Sequence, residues 1–265
     1  MDIDESWFTA GANPAGPMRL FLFPYAGGNA NAFLSWQPLL GPRLELRIAQ
    51  LPGRGLRLFE PPLTDMQELV ARLTRAVAGL ADRPFVFFGH SLGALVAFEV
   101  ARQLRRAGRP GPVSLWVSGA ESPRTRVVRH RLHDLEEAEF IHALGQHNGT
   151  PPELLQDLEL MQLLIPGLRA DFTLSECYVY RAEPPLDLPI HLLLGDQDPY
   201  VEADRAAGWS RESSQPVCQH LYPGGHFFLD AHRQSIVTLL ADTAAKAAAD
   251  PVTGGGCLAT EPRPT

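Results

Sequence analysis

Three short motifs in this sequence carry the residues of a nucleophilic catalytic site. A GHSLG motif at 89–93 places Ser91 between two glycines, a GDQDP stretch at 195–199 holds two acids, and a GGHF stretch at 224–227 holds His226. A serine hydroxyl is a weak nucleophile that needs a general base, and that base needs a third group to orient it. The chain order serine, acid, histidine therefore predicts acyl-transfer chemistry through an acyl-serine.

The surroundings of Ser91 support this interpretation. An apolar run at 85–88 precedes the motif and an apolar helical pattern over 94–107 follows it, so Ser91 falls on a sharp strand-to-helix turn. The flanking glycines leave space where such a turn crowds its neighbours, and free N–H groups at the start of the helix favour a developing oxyanion. The alternative is a tight turn with an incidental serine, which does not account for the flanking strand and helix.

The base and the acid come from loops that follow later predicted strands. Of the nine histidines, His226 alone lies on a Gly-rich loop after the last strand, while His90 is expected to be a packing or hydrogen-bonding neighbour. Asp196 directly follows a glycine and could cap the turn with its side chain. Asp198 lies further into the loop and is freer to reach His226, so we expect Asp198 to be the acid.

The loop FPYAGG at 23–28 is the expected source of a second oxyanion donor, by analogy with the corresponding loop of lipases. Its glycines allow main-chain N–H groups to point inward. We expect the two donors to be the main-chain N–H groups of Ala26 and Leu92. The glycine pair is not a nucleotide-binding motif, because neither GxGxxG nor GxxxxGK[ST] occurs in the chain.

The elements around these motifs predict an α/β fold, a mostly parallel sheet with helices on both faces. The predicted strands cover 19–24, 44–51, 85–88, 113–118, 189–194 and 217–222. The predicted helices cover 64–82, with Thr64 as its cap, 94–107 and about 230–249. Between 122 and 181 the pattern is helical only, at 134–144, 151–164 and 167–180, which predicts a helical lid inserted over one end of the sheet.

Composition excludes several classes of protein. The 265 residues include 30 acids and 23 bases, a net charge of −7, which argues against a nucleic-acid binder. Three cysteines without CxxC spacing argue against a disulfide framework or a zinc site and fit a reducing cytoplasm. The first residues lack the apolar segment of a signal peptide, and no apolar run approaches the length of a membrane span. We expect one domain over 1–250 and a disordered tail over 251–265.

Longer stretches of the sequence resemble one family. FPYAGG followed by Phe33, LPGRGLR, GHSLGA, GDQDPYV and PGGHFFL match, in this order, the signature stretches of type II thioesterases, over about 19–240. The resemblance implies an α/β-hydrolase core with a helical lid, and Ser91, Asp198 and His226 as the catalytic triad. It also implies hydrolysis of acyl or aminoacyl groups from the phosphopantetheine arms of carrier proteins, as editing for polyketide and nonribosomal peptide synthases, without cofactor or metal.

The resemblance also extends to the lid and the partner. It implies that apolar lid residues line an acyl chamber, and we expect Met161, Leu164 and Phe172 among them; the alternative is that they pack on the core or on each other. The pantetheine attachment pattern GxDS[LI] is absent, so the carrier is expected on another protein, and this chain is expected to be a monomer. Four arginines in RTRVVRHR at 124–131 could dock an acidic carrier; the alternative is a solvated loop.

The triad alone leaves other functions open. A general carboxylesterase or a fatty-acyl thioesterase would use the same residues. A cyclase would form a lactone instead of admitting water. From a different class, a catalytically inactive hydrolase fold could serve as a binding module.

Overall fold

A mostly parallel sheet forms the centre of the chain in the computed structural model, which describes residues 5–11, 13, 15–146, 149 and 152–249. The strands are β1 (Phe8–Ala10), β2 (Met18–Phe23), β3 (Leu44–Ala49), β4 (Phe85–His90), β5 (Leu115–Ser118), β6 (Ile190–Gly195) and β7 (Val217–Tyr222). Their order across the sheet is β1-β3-β2-β4-β5-β6-β7, and only β1 runs antiparallel to its neighbour. The predicted α/β fold is confirmed, while β1 is too short to show a sequence pattern. The predicted tail at 251–265 lies outside the described residues.

Helices cover both faces of this sheet. They are α1 (Asn31–Leu34), α2 (Gln37–Leu40), α3 (Met66–Gly79), α4 (Leu92–Arg106), α5 (Glu137–Gln146), α6 (Pro152–Gln156), α7 (Leu158–Glu176), α8 (Ala203–Ala206), α9 (Phe228–Ala231) and α10 (Arg233–Ala249). None of these helices is both long and apolar enough to span a lipid bilayer.

Alternate side chains along the strands separate the core into two layers. Phe21 and Phe87 point to the layer that contains the apolar residues of α3 and α4. Leu20 and Val86, their neighbours in the chain, point to the layer that contains residues of α2 and α10. Successive strand residues face opposite sides of a sheet, so a strand covered on both faces is apolar throughout. This explains the uninterrupted apolar runs in the sequence.

Two helix starts differ from the sequence expectation. The pattern predicts helices over 151–164 and 167–180, but the chain breaks at Asp157 and α7 then continues through Pro166. The Asp157 side chain accepts a hydrogen bond of 3.0 Å from the Leu160 N–H and caps α7. Similarly, α3 is capped by Asp65, which accepts from Glu68, and not by Thr64. In both cases the helix begins after the aspartate that directly precedes its first turn, although neighbouring residues could also have capped or broken the helix.

The lid has an apolar cluster of its own. Its buried members are Leu132, Phe140, Leu144, Met161, Ile165 and Leu168. The parallel strands β2 to β7 all end on the same side of the sheet, which we call the carboxyl edge. The loops that follow these six strands begin there. In open α/β sheets this edge is where ligands bind.

Candidate active site

Ser91 lies between β4 and α4 in a backbone conformation that most residues avoid. Its φ is 55° and its ψ is −117°. Among the described residues it is the one non-glycine with a positive φ. Such a conformation costs about 1–3 kcal/mol and persists only where the surrounding structure holds it. Here the Ser91 N–H donates a hydrogen bond of 2.8 Å to the Ser118 carbonyl, which ties the turn to the end of β5.

The two glycines of the motif are required by close backbone contacts. A Cβ atom at Gly89 would lie 2.2 Å from the carbonyl oxygen of Gly93, and a Cβ atom at Gly93 would lie 1.9 Å from the carbonyl oxygen of Phe23. Both distances are far below van der Waals contact, so any larger residue would displace the turn. The motif therefore describes the strand-to-helix elbow expected from the sequence.

His226 and Asp198 are brought together from two different loops. The Nδ1 atom of His226 is 2.7 Å from Oδ2 of Asp198, and the Asp198 side chain is only 1% exposed. The other carboxylate oxygen accepts a hydrogen bond of 2.9 Å from the Tyr200 N–H. A carboxylate is a hydrogen-bond acceptor, so it favours the proton on Nδ1 and leaves Nε2 free to act as a base.

Asp196 has a different position from Asp198. It is exposed, and its Oδ1 accepts a hydrogen bond of 2.8 Å from the Gly224 N–H. Its own N–H donates to the carbonyl of Tyr222 at the end of β7. Asp196 thus caps the junction of the two loops, while Asp198 holds the histidine.

His90 packs beside this pair without contacting solvent. Its ring centroid is 4.9 Å from that of His226, and its Nδ1 is 3.0 Å from the Ser118 hydroxyl. Burial lowers the pKa of His90 well below its ordinary value, and the proximity of His226 lowers it further. Gly119 leaves room for both rings, because a Cβ atom there would lie 2.6 Å from His90 Cε1 and 3.3 Å from His226 Cε1. We therefore expect a neutral His90.

The loop with Ala26 begins against the first turn of α4, where Leu92 lies. A Cβ atom at Gly93 would be 2.7 Å from the Pro24 carbonyl as well as close to Phe23. The loop closes as a turn in which the Gly28 N–H donates to the Tyr25 carbonyl at 2.8 Å. Because the first N–H groups of a helix have no partner within the helix, this junction suits an anion.

The three lid residues predicted to contact substrate have different surroundings. Leu164 lines a cavity of about 220 Å³ together with Tyr25, Gly28, Leu168 and other residues of the loop and lid. Met161 is only 1% exposed and belongs to the lid cluster. Phe172 packs edge-on against Phe140, with ring centroids 5.8 Å apart. Of the three, only Leu164 lines this cavity, and it also packs against the lid cluster, as Phe172 does.

A larger cavity of about 560 Å³ lies elsewhere. Its walls come from α3, α4 and the end of α7, including Glu99, Arg102 and Tyr178. None of the predicted catalytic residues lines it. In the described part of the chain, no group of three or more His, Cys, Asp or Glu side chains is arranged to hold a metal ion.

The arginine-rich loop at 124–131 is tied to the rest of the chain. Three of its arginines form ion pairs, Arg124 with Glu212, Arg129 with Glu121, and Arg131 with Asp134. The fourth, Arg126, donates to the Ser175 carbonyl at 2.6 Å. These partners balance most of the local positive charge, so charge alone no longer favours this loop as a docking surface.

Sequence reasoning missed the groups that support the site. Tyr200 holds Asp198 through its N–H, and its ring lies edge-on to His226 with centroids 5.4 Å apart. Asp171 and Arg54 connect the lid to the loops beneath it. Tyr200 and Arg54 lie within the GDQDPYV and LPGRGLR stretches, so the motifs carried a signal, but no local pattern marked Asp171.

Comparison with known proteins gives a consistent result. The thioesterase domain family model matches residues 18–243. The gramicidin S biosynthesis protein GrsT of Aneurinibacillus migulanus is 38% identical over 237 residues, which cover 89% of this chain and 93% of GrsT. Thioesterase PikA5 of Streptomyces venezuelae is 36% identical over 86% of this chain and 82% of its own. The solved structure of the type II thioesterase BorB from the borrelidin biosynthetic cluster covers 91% of this chain and 96% of BorB, with a TM-score of 0.79 and 32% identity.

Proposed function

We propose a substrate and a catalytic cycle for this chain, which belongs to the thioesterase family and hydrolyses thioesters. The proposed substrate is an acyl or aminoacyl group held as a thioester on the phosphopantetheine arm of a carrier protein. Support comes from the relatives, because GrsT is named for gramicidin S biosynthesis and BorB is a type II thioesterase from the borrelidin biosynthetic cluster. The proposed task is editing, in which stalled or misprimed groups are removed so that a polyketide or nonribosomal peptide synthase can restart.

The proposed cycle uses Ser91 as nucleophile. His226 Nε2 takes the Ser91 proton, and the serine oxygen attacks the thioester carbonyl. The main-chain N–H groups of Ala26 and Leu92 stabilise the tetrahedral oxyanion. His226 then returns the proton to the departing thiol, and an acyl-serine remains. Water activated by His226 attacks this ester, the acid leaves, and Ser91 regains its proton.

One observation carries the cycle most directly. The 2.7 Å contact between His226 and Asp198 joins the loops after β6 and β7, at the same sheet edge where β4 ends in the strained Ser91. A buried carboxylate at this position stabilises the imidazolium that forms during attack. Asp198 therefore serves in this proposal as the orienting acid, and Asp196 does not.

The partner and the location belong to the same proposal. A carrier protein on another chain delivers the substrate, and the enzyme acts as a monomer in the cytoplasm.

A comparison of three substrates tests the proposal. Turnover of an acyl-carrier protein, the matching acyl-CoA and the matching p-nitrophenyl ester is measured for short and long acyl groups, with Ser91→Ala as the blank, and a phosphonate is used to label the reactive serine. We expect the highest kcat/KM with the acyl-carrier protein and a free acid as the product. Ester turnover at equal or higher kcat/KM would indicate a general carboxylesterase, and preference for long fatty-acyl chains a fatty-acyl thioesterase. A lactone product would indicate a cyclase, and no turnover together with no serine labelling a binding module.

A further inference from the structure

The carboxylate of Asp171 joins lid helix α7 to two loops at the carboxyl edge of the sheet. Its Oδ2 accepts a hydrogen bond of 2.7 Å from the Gly27 N–H. Both terminal nitrogens of Arg54 also donate to it, with Nη2 2.6 Å from Oδ1. Asp171 is fully buried and Arg54 is 6% exposed. A charge so far from water needs several donors, and this one has three from two segments distant in sequence.

The same side of α7 lies close to both loops. A Cβ atom at Gly167 would lie 2.5 Å from the Gly53 carbonyl oxygen, and one at Gly27 would lie 2.5 Å from Leu168 Cδ2. Positions 167, 168 and 171 share one side of a helix, because residues three and four apart are neighbours there. Asp171 is thus a buried, charged contact within a fitted surface between lid and loops.

The bond from Gly27 matters because of its place in the loop. Gly27 follows Ala26, the proposed oxyanion donor, and has a φ of 78° in the left-handed region. The next residue, Gly28, closes the turn on the Tyr25 carbonyl. The hydrogen bond to Asp171 fixes the orientation of the Gly27 amide. Because Ala26 is the preceding residue in the same turn, this bond also restricts the direction of the Ala26 N–H. An oxyanion donor acts only if it is already aimed where the charge develops.

We infer that Asp171 is a positioning residue that aims the oxyanion loop, and that it couples the seating of the lid to the rate of acyl transfer. With the Asp171–Gly27 bond intact, the loop holds its donor in place; without it, the loop is free to turn the donor away. The inference rests on the proposed function only in assuming that Ser91 reacts through a tetrahedral oxyanion.

The chain offers a matched control for this inference. Glu45, near the amino end of β3, is also a fully buried carboxylate, and its Oε2 lies 2.9 Å from Nε of the buried Arg19. Asp171→Ala and Glu45→Ala each remove a fully buried carboxylate from its pair with a buried arginine, and Asp171→Ala leaves no acceptor for the Gly27 N–H. Glu45 also pairs with Arg47 and Arg83, so its removal is at least as disruptive to charge pairing. Only the Asp171–Arg54 pair contacts the oxyanion loop. A loss of rate that both variants share therefore reports on stability, and a loss of rate found only in the Asp171 variant reports on positioning.

Two rates and one stability measurement are compared for the parent and both variants. They are kcat on a short acyl thioester of N-acetylcysteamine, the rate at which a p-nitrophenyl alkylphosphonate labels Ser91, and the thermal unfolding midpoint. We expect both variants to unfold at lower temperature. Asp171→Ala should lower kcat and the labelling rate by about 10- to 100-fold, and Glu45→Ala by no more than about twofold. Arg54→Lys keeps a charge beside Asp171 but loses the paired contact, and should lower both rates by about fivefold.

Parental rates in folded Asp171→Ala would overturn the inference, as would an equal loss in Glu45→Ala. If Asp171→Ala does not fold, Arg54→Lys decides, and parental rates in that variant would overturn it as well. The phosphonate separates this inference from the proposed function, because labelling needs Ser91 and its oxyanion donors but no thioester. A parent that reacts with the phosphonate and with no thioester would contradict the proposed function while leaving the positioning test intact.

Discussion

At the carboxyl edge of the sheet, each proposed catalytic residue lies close in sequence to the strand that positions it, whereas the lid is held by residues distant in sequence. Ser91 directly follows β4, Asp198 comes three residues after β6, and His226 comes four residues after β7. By contrast, Asp171 is separated from Gly27 by 144 positions and from Arg54 by 117.

The catalytic loops and the lid therefore have different physical tasks. Short connections to buried parallel strands leave the edge residues few conformations, which suits groups that must keep their geometry through a reaction. The lid instead has its own apolar cluster and meets the loops at the carboxyl edge around Gly167 and Asp171, while Leu174 near the end of α7 packs in the main core. We therefore expect changes at the edge to affect the chemical step, and changes in the lid to affect stability and substrate choice.

The largest effect is expected at Ser91. Loss of the nucleophile in a triad of this kind lowers the rate by about 10⁶-fold, so Ser91→Ala should be almost inactive. The change from serine to alanine relieves backbone strain at most slightly, so the thermal unfolding midpoint of Ser91→Ala should stay near that of the parent. Labelling by a phosphonate, followed by peptide mapping, should find Ser91 in the parent and no serine in the variant. Residual activity within about tenfold of the parent would refute the assignment.

The two aspartates of the β6 loop should differ sharply. Asp198→Asn removes the acceptor that orients His226 and should lower kcat by about 10⁴-fold. Asp196→Asn keeps an oxygen for the Gly224 N–H and should retain most activity. Both variants are assayed on the same thioester, each as the control of the other. The reverse result would make Asp196 the acid and break the proposed edge geometry.

In the lid, Met161→Ala should reduce stability without abolishing chemistry. Met161 is 1% exposed in the lid cluster, and truncation of such a residue costs about 2–5 kcal/mol. Urea denaturation measures the total loss, and hydrogen exchange locates it. We expect faster exchange in α5 and α7 and unchanged exchange in β4. Equal acceleration in β4 would show that lid and sheet do not behave as separate clusters.

A smaller effect is expected from buried histidines in the sheet, far from the lid. Burial, with a contribution from nearby His220, lowers the pKa of His191 to about 3. The unfolded chain would bind a proton at His191 near its ordinary pKa, so stability is complete above that value and falls as pH drops below it. Between about pH 7.5 and pH 5.5 the loss from His191 is about 1.4 kcal/mol.

The variant His191→Phe tests this assignment. A phenylalanine keeps a ring against Trp116, which stacks on His191 with centroids 4.0 Å apart, but cannot take up a proton. The free energy of unfolding is measured by urea at the two pH values. The parent should lose more stability than the variant on acidification, and an identical loss in both proteins would contradict the assignment.

The smallest effect is expected at Leu164. Leu164→Phe narrows the cavity near Tyr25 and should shift preference toward shorter acyl chains by a few-fold, whereas Leu164→Ala should favour longer ones. Rates for a series of acyl chain lengths are compared with the shortest acyl group as reference. Met161→Ala is the matched control, since Met161 packs within the lid cluster. A uniform change over all chain lengths would assign Leu164 to the lid core as well.

The sequence by itself determined the fold class, the order of the strands along the chain and the family, and it pointed to Ser91, Asp198 and His226 as the reactive group. These features could be predicted because they depend on local patterns: apolar runs, glycines that a tight turn requires, and polar residues just after a strand. The position of the helix break at Asp157 and the cap at Asp65 were missed, because several nearby residues offered competing cap and breaker signals.

Only the tertiary structure decided which distant residues meet. The bonds from Asp171 to Gly27 and Arg54 and the ion pair between Arg124 and Glu212 join segments far apart in the chain. Met161 and Leu164 both pack in the lid cluster, and the fact that Leu164 also lines a cavity depends on how separate helices pack. Periodicity reports which side of an element is apolar, but not which surface covers it. That choice depends on the packing of the whole chain, where a buried charge is stable only if donors from other segments reach it.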